Sequence, residues 1–291
     1  MKAKLTSILL GLLLSFSLGA ASSQTPPQRL VVAGGGLTEI VYAIGGEAAL
    51  VGVDSTSQYP KAAQALPGVG YMRALSAEGV LSLKPDALLL TDEAGPPPVL
   101  AILRQSGLPL HTLKAEYSMV GLLQHIAYIG ELLGRSEQSQ ALAAQIRQQQ
   151  QVLQQRIARQ QRTHAAPKVL FLLTHAGRSP MAAGANTAAH ALIELAGGRN
   201  VVSDFSGYRP LSQEAIASLQ PDLILTTEQG LEQLGGAEAL LNKAGIKLTA
   251  AARQRQLLAM DALLLLGFGP RTVQAASTLN QRLYPTVPKA Q

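Results

Sequence analysis

The hydrophobic pattern of the chain contains one unit twice. Residues 75–90 read LSAEGVLSLKPDALLL, and residues 211–226 read LSQEAIASLQPDLILT. In each copy a serine precedes a short stretch with helical spacing, a Pro-Asp pair ends that stretch, and an unbroken apolar run follows. This order predicts a short helix followed by a buried strand. Two copies of the unit, far apart in the chain, predict two similar lobes.

The other apolar segments predict a sheet in each lobe and a long helix between the lobes. Short apolar runs predict strands at 29–33, 50–53, 88–91, 108–113 and 168–173. Helical spacing predicts helices near 38–44, 96–106, 119–133 and 186–196, the last capped by Asn186. Residues 136–163 have no Gly or Pro and keep helical spacing. A Gln-rich stretch of this kind is also compatible with a linker, but the spacing favours a helix.

The predicted fold class is therefore α/β: two similar αβ lobes with central sheets, joined by one long rigid α-helix, with a ligand cleft between them. The predicted domains are a signal peptide at 1–21, an N-terminal lobe at 29–135, a bridging helix at 136–164 and a C-terminal lobe at 167–291. Because one rigid helix joins the lobes, we expect them to move little when a ligand binds.

The N-terminus predicts export from the cytoplasm. Lys2 and Lys4 precede an apolar stretch at 5–18 and small residues at 19–22, which is the pattern of a cleaved secretory signal. The chain has no cysteine, so we expect neither disulfides nor a lipid anchor. The predicted location is the periplasm, and the mature protein is expected to be a monomer without stable membrane insertion.

Charge and motifs exclude several classes of function. The net charge is +6, but Lys and Arg are scattered without interleaved aromatic residues, so nucleic acid is not an expected partner. No G-x-S-x-G or H-E-x-x-H motif occurs, and the run Gly34-Gly35-Gly36 matches no phosphate-binding fingerprint. Asp54 after a predicted strand is typical of a turn residue. The sequence therefore disfavours an enzyme, with no catalytic residues predicted.

Tyr71 and Arg73 are the most specific candidates for ligand binding. They lie in the glycine-punctuated segment PGVGYMR, directly before the first repeated helix. If this segment is extended, the two side chains project to the same side. A neighbouring guanidinium favours the phenolate form of a tyrosine, and a phenolate is a suitable ligand for ferric iron. On local sequence alone, a tyrosine that packs its ring on the surface of its lobe is the favoured interpretation.

His175, Arg178 and Met181 follow the predicted strand at 168–173. Ligands of open α/β sheets gather at the carboxyl ends of strands, so these residues are expected to face the cleft opposite Tyr71. A histidine bonded within its own loop remains an alternative. The other histidines, at positions 111, 125, 164 and 190, are interpreted as structural or solvated.

Glu78 and Glu214 occupy equivalent positions in the two repeats. An acidic residue in the first turn of a helix complements the helix dipole, which explains each glutamate separately. Their duplication also presents two separated carboxylates on twin lobes. Such a pair suits docking to a two-fold symmetric partner with basic pockets.

These motifs together resemble the periplasmic haem-binding proteins of bacterial haem ABC importers, in the helix-bridged class that includes cobalamin- and siderophore-binding proteins. The resemblance spans essentially the whole mature chain. It rests on Thr-Glu-Ile at 38–40, Gly-Tyr-Met-Arg at 70–73 before Leu-Ser-x-Glu, Leu-Lys-Pro-Asp at 83–86, and the segment from His175 through Met-Ala-Ala-Gly at 181–184 to Gly-Gly at 197–198.

The resemblance implies that haem b is the transported ligand and that Tyr71 coordinates its iron, with Arg73 beside it. It places His175 across the cleft, where in some relatives this histidine helps to bind a second stacked haem. It implies that Glu78 and Glu214 dock the lobes onto an inner-membrane ABC permease dimer with its ATPase. Many relatives have His-Gly-Gly where this chain has His175-Ala176-Gly177, so the chain departs from the family pattern by one methyl group directly after His175.

Three functions are compatible with the sequence. The first is a carrier that binds ferric haem and delivers it to the permease. The second is a ferric-siderophore or cobalamin carrier of the same fold, although the chain lacks the tryptophan on which a cobalamin carrier relies. The third is a periplasmic enzyme, which the missing nucleophile and base oppose.

Overall fold

The structure is a computed structural model that describes residues 25–174 and 179–285. The predicted signal peptide lies outside the described residues. Within them the chain forms two α/β halves, each built on its own sheet, and we call these the N-terminal and the C-terminal lobe. The predicted fold class is confirmed.

The N-terminal lobe is built on a parallel sheet of four strands in the order β2-β1-β5-β6. The strands in this part of the chain are β1 (Leu30–Ala33), β2 (Leu50–Val53), β3 (Gly70–Tyr71), β4 (Ala74–Leu75), β5 (Ala87–Thr91) and β6 (Leu110–Leu113). The helices are α1 (Gly35–Ala43), α2 (Ala77–Ser82), α3 (Pro97–Gln105), α4 (Met119–Leu132) and α5 (Ser136–Gln160).

The sheet of the C-terminal lobe has the order β10-β8-β7-β11-β12, and β9 pairs with β7. The strands here are β7 (Lys168–Leu173), β8 (Met181–Ala183), β9 (Arg199–Asn200), β10 (Tyr208–Pro210), β11 (Leu223–Thr227) and β12 (Leu257–Met260). The helices are α6 (Ala188–Leu195), α7 (Gln213–Leu219), α8 (Glu228–Gln233), α9 (Ala237–Leu241), α10 (Ala250–Arg253), α11 (Ala262–Leu266) and α12 (Thr272–Leu283).

The repeated sequence unit forms equivalent elements in both lobes. The first copy forms α2 and β5, and the second forms α7 and β11. Ser76 and Ser212 cap the two helices by accepting hydrogen bonds from the amides of Gly79 and Ala215. Serine at such a position satisfies an amide that would otherwise have no partner in the helix. The strands β5 and β11 are buried on both faces, which explains their unbroken apolar runs.

The predicted cap of α6 is wrong by one residue. Thr187, and not Asn186, accepts the hydrogen bond from the amide of His190. Asn186 instead has a positive φ of 55°, a backbone region that asparagine tolerates better than most residues. It belongs to the turn before the helix.

The long helix α5 contacts both lobes. Ile146 and Leu153 belong to one buried cluster with residues of both sheets, such as Val32 and Phe171. Near its C-terminal end, Gln160 accepts a hydrogen bond of 2.9 Å from Asn280 in α12. At about 37 Å, α5 is long enough to pack against α4 at one end and α12 at the other. It ends at Gln160, shortly before the predicted end at 163.

Neighbouring residues of the central strands point to opposite faces of each sheet. Leu30 and Val32 face the cluster shared by the two lobes, while Val31 and Ala33 face a separate cluster under α2 and α3. Because one face of each sheet is buried in a common cluster, the lobes are packed together along α5. None of the helices in the described ranges is both long and apolar enough to cross a membrane.

Candidate functional site

A cavity of about 930 Å³ lies between the two lobes, and we call it the interlobe cavity. Its walls come largely from residues that follow the carboxyl ends of strands. Ser55 and Thr56 follow β2, and Ala115 follows β6. Thr91 is the last residue of β5, and Glu93 follows that strand. Leu173 is the last residue of β7, and Gln229 and Asp261 follow β11 and β12. Ligands of α/β sheets bind at this edge.

The hairpin of β3 and β4 brings Tyr71 and Arg73 together at the wall of the N-terminal lobe. Gly70, with a φ of 95°, begins the hairpin in a conformation that favours glycine. The Arg73 Nη1 donates a hydrogen bond of 2.8 Å to the Tyr71 hydroxyl oxygen. The Tyr71 side chain is 44% exposed, so its oxygen can be reached from the cavity. The sequence predicted this pair from its spacing, and the structure brings both residues together.

Glu93 and Tyr117 complete a chain of hydrogen bonds behind this pair. The Arg73 Nη2 donates to Glu93 Oε2 at 2.6 Å, and the Tyr117 hydroxyl donates to Glu93 Oε1 at 3.0 Å. Burial, and then the Glu93 carboxylate, raise the pKa of Tyr117, so its hydroxyl keeps the proton that it donates. Sequence reasoning missed both residues. The polar run Thr91-Asp92-Glu93 at the end of the repeated strand was the available signal for Glu93.

The opposite wall comes from the C-terminal lobe. Met181, predicted from the sequence, lines the cavity together with Leu173 and Tyr208. Burial, followed by the Glu93 carboxylate, raises the pKa of Tyr208 to about 12, so this phenol is neutral at physiological pH. Tyr208 was not predicted as a site residue. His175 and Arg178 lie outside the described residues.

His125 also lines the cavity, although the sequence favoured a structural or solvated role. Its Nε2 lies 3.0 Å from the carbonyl oxygen of Lys114. Since a carbonyl only accepts, Nε2 carries the proton and Nδ1 is an acceptor. Burial lowers the pKa of His125, which keeps the ring neutral at pH 7. The His111 Nδ1 lies 2.8 Å from the Tyr128 hydroxyl and does not line the cavity.

The glycine run at 34–36 is held by hydrogen bonds and lines the cavity floor. Asp54 is buried, and one of its oxygens accepts a hydrogen bond of 2.9 Å from the Gly34 amide. Thr56 accepts from the Gly35 amide at 2.9 Å. Asp54 also accepts from the amide of Thr56, as expected for a turn residue. These contacts give Asp54 and the glycines a structural role at the start of α1.

The lobes touch each other beside this floor. Arg271 donates two hydrogen bonds to the Glu39 carboxylate, from Nε at 3.0 Å and from Nη2 at 2.5 Å. Tyr117 of the N-terminal lobe meets Phe268 of the C-terminal lobe edge-on, with ring centroids 5.8 Å apart. At Gly36 a Cβ would lie only 2.1 Å from the carbonyl oxygen of Gly267. Glycine is therefore required where the backbones approach.

Glu78 and Glu214 lie away from the interlobe cavity. Both are exposed and occupy the first turns of α2 and α7. The backbone amide of Glu214, and then the Ser212 hydroxyl, lower the pKa of Glu214, so its carboxylate stays charged. The equivalent placement predicted from the repeat is present, and both carboxylates are accessible to solvent.

The cavity combines the exposed Tyr71 hydroxyl with largely apolar walls. Leu37, Ile40, Leu263, Leu266 and Phe268 contribute apolar surface. Within residues 25–174 and 179–285, no group of three or more His, Asp or Glu side chains is arranged to hold a metal ion. These walls suit a large and mostly apolar ligand that can approach the Tyr71 oxygen.

Comparison with known proteins agrees with this architecture. The family model described as periplasmic binding protein matches residues 30–263. A periplasmic heme binding protein from Pseudomonas aeruginosa is 40% identical, with a TM-score of 0.85 over 91% of this chain and 95% of that chain. The heme-binding protein BhuT, solved with two hemes, is 39% identical, with a TM-score of 0.83 over 89% of this chain and 98% of that chain.

Curated relatives are more distant. The uncharacterized ABC transporter substrate-binding lipoprotein YvrC from Bacillus subtilis is 26% identical over 261 residues, which are 89% of this chain and 81% of that protein. The vitamin B12-binding protein of Pectobacterium atrosepticum is 27% identical over 201 residues, which are 68% of this chain and 71% of that protein. The resemblance found in the sequence is confirmed by these matches.

Proposed function

The chain belongs to the periplasmic binding protein family, and we propose that it binds ferric haem in the interlobe cavity and delivers it to an inner-membrane ABC permease. The observation that carries this proposal is the Tyr71 hydroxyl, which is exposed to the cavity and hydrogen-bonded to Arg73. A phenolate oxygen is a suitable ligand for ferric iron, and tyrosine is known as a proximal haem ligand. The guanidinium beside it donates a charge-assisted hydrogen bond to that oxygen.

The cavity fits a ligand of this kind. Its volume of about 930 Å³ is at the upper end of the range for small-molecule sites. Apolar side chains of both lobes, among them Leu37 and Phe268, are suited to contact the faces of a porphyrin. Structures with 38–40% identity to this chain are those of heme-binding proteins, which supports haem as the ligand.

Location and partners extend the proposal beyond the ligand. The sequence supports export through a signal peptide at 1–21 and, since the chain has no cysteine, a carrier without a lipid anchor. In this it would differ from the relative described as a lipoprotein. Glu78 and Glu214 would contact the permease dimer, one from each lobe. The named relatives are binding proteins, which supports a carrier and not an enzyme.

A spectroscopic titration with hemin tests the ligand and Tyr71 together. The wild-type protein is expected to give a Soret band and a phenolate-to-iron charge-transfer band at saturation. Tyr71→Ala and Tyr71→Phe are expected to weaken binding about a hundredfold or more, because they remove the proposed anionic ligand. Tyr128→Phe, which removes an exposed hydroxyl outside the cavity, serves as the matched control. Full affinity with an unchanged charge-transfer band in Tyr71→Ala would contradict the assignment.

His175 remains a separate prediction. If Tyr71 is the sole axial ligand of the first haem, His175→Ala keeps one-haem binding, and loss of only a second equivalent would support a stacked arrangement. Loss of all binding would reverse the order of importance of the two residues. The same titration counts the hemin equivalents.

Cobalamin is the second candidate, because curated relatives include vitamin B12-binding proteins. A cobalamin carrier would retain cyanocobalamin in equilibrium dialysis and would not depend on Tyr71 as an anionic ligand. Dialysis of the wild-type protein against hemin and cyanocobalamin separates the two functions. Binding of cyanocobalamin without binding of hemin would favour this second function. Cyanocobalamin binding that is unimpaired in Tyr71→Ala would favour it as well. A ferric siderophore is tested in the same dialysis.

A further inference from the structure

The Arg73 guanidinium has two partners, the Tyr71 hydroxyl and the Glu93 carboxylate, and both residues line the interlobe cavity. Its Nη1 donates to the Tyr71 oxygen at 2.8 Å, and its Nη2 donates to Glu93 Oε2 at 2.6 Å. The Arg73 side chain is about half exposed. An exposed arginine samples many rotamers unless another group restrains it, so the hydrogen bond to Tyr71 depends on what holds the other side of the guanidinium.

Glu93 is itself restrained on both sides. Its second oxygen accepts a hydrogen bond of 3.0 Å from Tyr117, whose ring packs edge-on against Phe268 of the C-terminal lobe. Because burial keeps the Tyr117 hydroxyl protonated, it remains a donor to the carboxylate. Both carboxylate oxygens of Glu93 therefore have partners, Arg73 at one oxygen and Tyr117 at the other.

The backbone around Glu93 holds the hairpin in place as well. The Gly95 amide donates to the Met72 carbonyl at 2.9 Å, and the Leu75 amide donates to the Gly95 carbonyl at 2.8 Å. The turn that provides Glu93 thus fixes the backbone of the hairpin, and the Glu93 side chain fixes its arginine. No other described acid forms an ion pair with Arg73.

We propose that Glu93, held by Tyr117, is a positioning residue that keeps the Arg73 guanidinium against the Tyr71 oxygen. The proposal rests on haem binding through Tyr71 and deepens it. It assigns the restraint of the Tyr71 side chain to Glu93 and Tyr117, two residues that are not themselves iron ligands. Glu93 acts only through Arg73. Its removal is therefore expected to have no effect on ligand release once Arg73 is absent.

The first measurement needs no ligand. In the apoprotein with labelled arginine, NMR reports how fast the guanidinium of Arg73 rotates. Slow rotation is expected in the wild type and fast rotation in Glu93→Ala, with Tyr117→Phe between them. Glu93→Gln keeps an oxygen acceptor and is expected to restore part of the restraint. Glu131→Ala, at an exposed acid of α4 outside the cavity, is the matched control. Equal rotation in wild type and Glu93→Ala overturns the proposal, whatever the ligand.

The second measurement follows hemin release into excess apomyoglobin. Glu93→Ala is expected to release hemin about tenfold faster than the wild type and to broaden the charge-transfer band. The reason is that Arg73, without Glu93, no longer keeps its charge-assisted hydrogen bond to the Tyr71 oxygen in place. In the Arg73→Ala background, the same change is expected to leave the rate unchanged. An equal effect of Glu93→Ala with and without Arg73 overturns the positioning role. If the wild type fails to bind hemin, the proposed function fails, while the apoprotein measurement still decides the role of Glu93.

Discussion

At the scale of single residues, the site depends on one hydrogen bond between neighbours in a hairpin. We expect Arg73→Ala to weaken hemin affinity about tenfold, less than Tyr71→Ala, because the iron ligand remains but loses its donor and the adjacent charge. Arg73→Lys is expected to recover only part of the affinity, since an ammonium does not match the two-partner geometry of a guanidinium. Equilibrium titration with hemin checks both variants. An Arg73→Ala protein with wild-type affinity would remove Arg73 from the site.

Local spacing made part of this site predictable. The two-residue spacing of Tyr71 and Arg73 predicted that they lie on one side of an extended segment. The segment is not extended at Arg73, because Met72 and Arg73 form the turn between β3 and β4, and this turn brings the guanidinium to the Tyr71 oxygen. Glu93 lies 20 residues from Arg73, and Tyr117 lies 24 residues beyond Glu93, each after a different strand. Their meeting depends on the order of strands in the sheet, which the apolar pattern does not specify. The same reason explains why Tyr208 was missed.

At the scale of elements, the twin helices α2 and α7 present Glu78 and Glu214 to solvent. We expect the double variant Glu78→Lys/Glu214→Lys to keep hemin affinity while losing most of the permease-stimulated ATP hydrolysis in a reconstituted system. Each single variant is expected to lose part of it, because the carboxylates belong to separate lobes. The cost in folding stability is expected to be small, because both side chains are exposed and only their interaction with the helix dipole is reversed.

The control for docking is ionic strength. Contacts between exposed charges weaken as salt screens them, so the wild-type stimulation is expected to fall with added salt and the residual stimulation of the double variant to change less. Full stimulation and transport by the double variant would reduce both glutamates to residues that only begin a helix. Lower hemin affinity in that variant would indicate a defect in capture instead.

The sequence predicted which segments are helices and strands more accurately than it predicted where those helices and strands begin and end. The repeat identified α2, β5, α7 and β11, because serine caps and apolar runs are local signals. The start of α1 was placed three residues late, since the glycines at 35 and 36 are poor helix formers in isolation. Here Asp54 and Thr56, which follow β2, hold the backbone, and the close approach of Gly267 requires glycine at 36. Tertiary contacts outweigh propensity at this position.

At the scale of the whole molecule, the lobes are joined by α5 and also by direct contacts beside the cavity. The sequence predicted the long helix from its composition and spacing. It did not predict the ion pair of Glu39 with Arg271, because the two residues are 232 positions apart. The Arg271 guanidinium also stacks on the Tyr59 ring, with Cζ 3.6 Å from the ring centroid. These contacts favour the predicted small movement of the lobes, which scattering from apo and loaded protein can measure.

The ion pair between the lobes makes a prediction about stability and pH. The Glu39 side chain is only 4% exposed, so Arg271→Ala leaves a buried carboxylate without its partner and is expected to cost about 3 kcal/mol at neutral pH. Burial, the largest cause, raises the pKa of Glu39 above its ordinary value of 4.5 even with Arg271 present. The folded protein therefore holds this proton more tightly than the unfolded chain does. The contribution of Glu39 to stability is then most favourable below 4.5 and is lost as pH rises through the raised pKa.

Removing Arg271 takes away the two interactions that lower the pKa of Glu39, so the loss of stability with rising pH is expected to become steeper in Arg271→Ala. Urea unfolding at about pH 5 and about pH 8 measures the free energy of unfolding. The difference in this free energy between variant and wild type is expected to be larger at the higher pH. Glu39→Gln/Arg271→Ala is the control: without an ionisable group at position 39, it is expected to recover part of the stability at the higher pH and to lose the additional pH dependence. A cost of Arg271→Ala that is equal at both pH values would show that the arginine stabilises the lobe contact through packing on Tyr59 and not through the charge of Glu39.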